Sequence, residues 1–97
     1  MPVRAGIVLI EPAGIVREVS QFRWQSNSFL DSYYVEVRDD DGVIYFATMR
    51  TTSFVVPADL QERLVPGRYR WRVMGRDVSR AALVATLPET FVVTGVQ

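Results

Sequence analysis

Apolar residues recur at every second position along most of the chain, as in Tyr33-x-Val35-x-Val37 and Tyr69-x-Trp71-x-Val73. That is the period of a strand whose alternate side chains enter a core while the others meet water. The alternation predicts strands at residues 6–10, 19–24, 32–38, 43–49, 52–56, 68–75 and 82–93. Turn chemistry separates them at Pro12 to Gly14, residues 25–28, Asp39 to Gly42 and Pro66-Gly67. In Asp39-Asp40-Asp41-Gly42, Asp41 and Gly42 are suited to the positive φ angles of a tight hairpin. Seven short strands over 97 residues predict an antiparallel sandwich or barrel.

Two segments break the alternation. Residues 57–64 place Leu60 and Leu64 four apart with charges between them. This predicts a single helical turn that drops both leucines onto the core, too short to stand as an independent helix. Val43, Ile44, Tyr45 and Phe46 are apolar on both faces of what reads as an edge strand. An exposed apolar edge invites pairing unless something covers it. The cover is either the 57–64 turn or a protein partner, a neighbouring domain or a second copy of the chain.

Three strands then line up with one architecture. Val19 to Trp24 ends in tryptophan, Tyr33-x-Val35-x-Val37 follows, and Leu64-x-Pro66-Gly67-x-Tyr69-x-Trp71-x-Val73 forms the third. Together they resemble the fibronectin type III domain. In that family the second-strand tryptophan lies in the core, and a Leu-x-Pro-Gly-x-Tyr turn presents a tyrosine corner whose hydroxyl bonds back to the backbone. The resemblance runs from Glu11 to Val93; Trp71 and the extra segment 58–63 depart from the usual pattern. It implies a seven-stranded antiparallel, immunoglobulin-like β-sandwich with one short helical turn between its fifth and sixth strands. Trp24, Leu64, Pro66, Gly67, Tyr69 and Trp71 would be its structural signature. The expected core is Phe22, Trp24, Tyr33, Val35, Val37, Phe54, Val56, Leu64, Tyr69, Trp71, Val73 and Phe91. Bacterial variants of the family sit as appended modules on envelope-associated or secreted proteins, so the resemblance favours an extracytoplasmic location.

Composition agrees with one folded domain spanning residues 1–97, with 48% hydrophobic and 23% charged residues. The formal charge is zero, so no net field steers the domain toward nucleic acid. All eleven basic residues are arginine, through either coding bias or a use of its fork geometry. Without cysteine there is no disulfide framework and no thiolate metal site, and without histidine no imidazole base or ligand. No catalytic residue, metal or cofactor is therefore expected. The apolar run Ile7 to Ile10 is too short for a signal peptide or a membrane span, so direct membrane insertion is not expected.

The remaining candidates form a surface. With period two, Arg68, Arg70 and Arg72 share a face beside Tyr34, Glu36 and Arg38 of the neighbouring strand, where ion pairs and stacking on the ring of Tyr34 would satisfy them. The alternative use of that face is to grip an acidic partner or phosphate. Tyr45 and Phe46 complete the candidate interaction surface. Gly75-Arg76-Asp77 has the composition of an adhesion tripeptide in the wrong order, and Asp39 to Asp41 read as a solvated turn in preference to a calcium site. The expected job is a non-catalytic structural or protein-interaction module. The alternative is a carbohydrate-binding module, which needs exposed coplanar aromatics; Tyr34 and Tyr45 are the candidates.

Overall fold

The structure is a computed structural model that describes residues 6–26, 30–78 and 82–95. Two sheets face one another. The smaller contains β1 (Ile7–Glu11), β3 (Gln21–Ser26) and β6 (Ser53–Val55) in the order β1-β3-β6. The larger has the order β2-β9-β7-β4-β5, from β2 (Gly14–Val16), β9 (Glu89–Val93), β7 (Gly67–Asp77), β4 (Ser32–Arg38) and β5 (Val43–Met49). β8 (Ala82–Ala85) adds to β7 beyond the end of β9. All pairings are antiparallel except β2 with β9.

Among the described residues nine strands replace the seven expected, and local chemistry accounts for both additions. After β1 the chain crosses from the smaller sheet to the larger at Pro12, through a cis Glu11–Pro12 bond and Gly14 at φ 67°. It then runs parallel to β9 as β2. The expected strand 82–93 divides at Thr86 to Pro88, because Pro88 has no N–H for the ladder. Thr86 bridges the break: its amide donates to the Val73 carbonyl, and its Oγ1 accepts from the Val73 amide at 3.1 Å.

The core is aromatic and lies between the sheets. Phe22 stacks on Phe54 at 5.1 Å and meets the ring of Trp71 edge-on at 5.0 Å. Trp24 meets Tyr33 at 5.6 Å, and Tyr69 stacks on Phe91 at 5.5 Å. Of the expected core, Phe54 and Val56 are only partly buried, while Val19, Leu30, Leu60 and Val93 join it. Phe54 lies on β6, an edge strand of the smaller sheet, so one flank stays open. The helical turn is present as α1 (Ala58–Arg63), and Leu60 and Leu64 are both buried as their spacing requires. The expected turn at 25–28 lies partly outside the described residues.

At the β4–β5 hairpin the Asp39 carboxylate accepts the amides of Asp41 at 2.7 Å and Gly42 at 3.1 Å. Gly42 carries φ 144°. The three aspartates thus shape a turn: one carboxylate is committed to the backbone and Asp40 reaches toward Arg68.

Candidate functional site

The outer face of the larger sheet carries the residues that periodicity groups together. Register sets Arg72 opposite Glu36, Arg70 opposite Arg38 and Met74 opposite Tyr34. Glu36 is buried, contrary to its expected place on an open face, because arginines from both strands close over it. Arg72 Nη2 lies 3.3 Å from its Oε2, and Arg38 Nε lies 3.6 Å from its Oε1. The Tyr34 hydroxyl donates to the same carboxylate at 3.4 Å. The ring of Tyr34 pairs with Phe46 at 6.2 Å instead of taking an arginine. Arg68 faces Asp40 at 3.6 Å, with both side chains open to water.

The break between β8 and β9 adds what the sequence reading missed. Pro88 and Trp71 join Glu36, Arg38, Arg70 and Arg72 around a cleft of about 140 Å³. Proline inside a run read as one continuous strand was the available signal.

β5 forms the rim of this sheet. Phe46 is 66% exposed there, whereas Tyr45, opposite the buried Val37, turns inward and stacks on Phe54 at 5.9 Å. α1 covers part of the rim: Arg63 Nη1 donates to the Ile44 carbonyl at 3.2 Å. Val43 and Phe46 remain exposed beside a groove of about 400 Å³ that Ile44, Asp59 and Arg63 also line.

The turn between α1 and β7 holds the strongest signature. The Tyr69 hydroxyl donates back toward two carbonyls, Val65 at 2.5 Å and Arg63 at 3.2 Å, which is the geometry of a tyrosine corner. No family model and no curated protein matches the sequence. Among solved structures the chain is similar to the fibronectin(III)-like modules of Clostridium thermocellum CbhA, with a TM-score of 0.54 and 16% identity over 94% of this chain and 99% of that one. The fold is fibronectin type III-like.

Within the fibronectin type III-like frame the remaining candidates fall into place. Gly75-Arg76-Asp77 continues β7 as strand, not loop, and Gly75 packs so closely that an added Cβ would lie 2.3 Å from a Leu30 methyl. Among the described residues no group of acidic side chains is arranged to hold a metal ion. Tyr34 and Tyr45 stand on opposite faces of the sheet, so they do not form the coplanar platform that carbohydrate stacking requires.

Burial raises the phenol pKa of Tyr69 above 10.0, and the nearby charge of Asp39 adds to the shift. Tyr45 is raised by burial and then by Asp59, and Tyr34 by burial and then by Glu36. A raised folded-state value favours the neutral phenol in the native domain. Its contribution to stability is therefore complete below the unfolded value and is lost as pH rises through the folded one. The melting temperature should stay insensitive to these phenols below about pH 10 and fall above it as tyrosinate absorbance grows. A Tm that does not fall above that pH would contradict the shifts.

Proposed function

We propose that this fibronectin type III-like domain is a non-catalytic protein-interaction module carried by a larger bacterial envelope-associated or secreted protein, outside the cytoplasm. Its fold is that of modules, and its sequence supplies neither histidine nor cysteine for catalysis. The observation that carries the interaction reading is Phe46, a largely exposed aromatic on the sheet rim, backed by Tyr34 and flanked by the α1 groove. Exposed aromatic anchors in well-defined surroundings are what protein interfaces use. The occupant we assign to this rim is a neighbouring polypeptide. The inward turn of Tyr45 weighs against the carbohydrate alternative.

A photo-crosslinking residue at position 46, in cells that naturally make the protein, should yield a discrete protein adduct. The same residue in place of Val8, exposed on the opposite sheet, should not. Phe46→Lys should abolish the association recovered with the isolated adduct partner. It should change the unfolding free energy by no more than about 0.5 kcal/mol, since the site is at the surface. No adduct at 46, or equal adducts at both positions, would reduce the domain to a spacer; an adduct of twice the chain mass would make it a homodimer.

A further inference from the structure

β7 presents Arg68, Arg70 and Arg72 at alternate positions on one face, roughly 6.6 Å apart along the strand. Across the sheet Arg38 stands directly opposite Arg70, an arrangement of like charges that repels. Among the described residues these four guanidiniums meet only two carboxylates. Glu36 is shared by Arg38 and Arg72, and Asp40 pairs with Arg68 in full contact with water. Two positive charges are left unbalanced on a domain whose overall formal charge is zero.

Arg70 has no carboxylate partner among the described residues, and it stands between two adjoining clefts. One is the Pro88 cleft of about 140 Å³; the other, of about 220 Å³, is lined by Asp40, Arg68 and Thr90. Each is smaller than the roughly 300–1,000 Å³ of a site for a free small molecule. Each is small enough to take only the end of a side chain, and the two share Arg70 as a wall.

We infer that this face binds an extended acidic segment of a partner protein, with carboxylates at alternate residues seated on Arg70 and its neighbours Arg68 and Arg72. An extended chain repeats its same-side groups at the same interval of roughly 6.6 Å, so successive carboxylates meet successive arginines in register. Guanidinium and carboxylate match as planar forks. Glu36 holds Arg38 and Arg72 in place before the ligand arrives, which reduces the side-chain ordering that binding would otherwise require. The arginines that would hold the segment are distinct from Phe46, which stands opposite Glu36 on the adjoining strand.

The test uses the whole domain and a fluorescein-labelled octapeptide alternating Glu and Thr, followed by anisotropy at low ionic strength. Saturable binding that weakens with added salt is expected. Arg70→Gln, at an exposed position without a partner to orphan, should lower affinity about fivefold, and a further Arg68→Gln should lower it by a similar factor. Phe46→Ser should leave binding unchanged, which separates this site from the rim. Absence of saturable binding would overturn the inference. So would wild-type affinity in Arg70→Gln, equal affinity for a peptide with its glutamates in one block, or tighter binding of a sulfated oligosaccharide at the same arginines.

Discussion

Truncation of Trp71 to alanine is expected to cost about 3–5 kcal/mol of unfolding free energy, the range for deleting a buried aromatic. The domain's total stability should lie in the usual range of about 5–15 kcal/mol, so the variant should be partly unfolded at room temperature or melt far below the wild type. The side chain is 1% exposed and bridges the two sheets, with Phe22 edge-on at 5.0 Å and Trp24 at 6.2 Å. Its indole Nε1 also donates to the Pro12 carbonyl at 2.9 Å, in the segment where the chain passes from β1 to β2. Truncation therefore opens a cavity and leaves a buried carbonyl unpaired, and both effects destabilise. Urea denaturation followed by circular dichroism measures the cost. Trp71→Phe keeps most of the ring contact and removes the donor, so it should fall between wild type and Trp71→Ala. A loss below about 1 kcal/mol in Trp71→Ala would mean that the sheets close over the gap and that the bridge is not a principal support.

Trp71 also shows why the fold was legible in the sequence and the cleft was not. Strand period is local, so Tyr69, Trp71 and Val73 could be assigned to the core, and Arg68, Arg70 and Arg72 to the opposite face, from spacing alone. The i, i+4 leucines of α1 and the Leu64 to Tyr69 turn are local signals of the same kind. Burial of Glu36 depends on which residues of β4 and β7 stand opposite, a property of long-range register that period does not specify. The inward turn of Tyr45 has the same origin, since it follows from pairing with Val37. β2 was missed because three residues are too few to show a period, and its partner β9 lies at the far end of the chain. The division of the last strand was legible in principle: Pro88 marked it, and the apolar alternation running through residues 82–93 outweighed that mark.

Removal of a single oxygen by Tyr69→Phe is expected to cost about 0.5–1.5 kcal/mol, the net value of an ordinary hydrogen bond, because the part-buried bonds to Arg63 and Val65 are lost on residues that water can reach. The ring can keep its stacking on Phe91, so little apolar contact should be lost. The lost bonds anchor the carbonyls of Arg63 and Val65, which begin the turn from α1 into β7. Arg63 in turn donates to the Ile44 carbonyl on the rim of β5. Loosening of the corner should thus travel to the rim, and hydrogen exchange should accelerate at α1 and β5 more than at the centre of β4. If Tyr69→Phe lowers stability while exchange rises uniformly over the domain, the corner supports the fold as a whole. If exchange rises first at α1 and β5, the same hydroxyl that marks the fold also sets how firmly the proposed interaction edge is held.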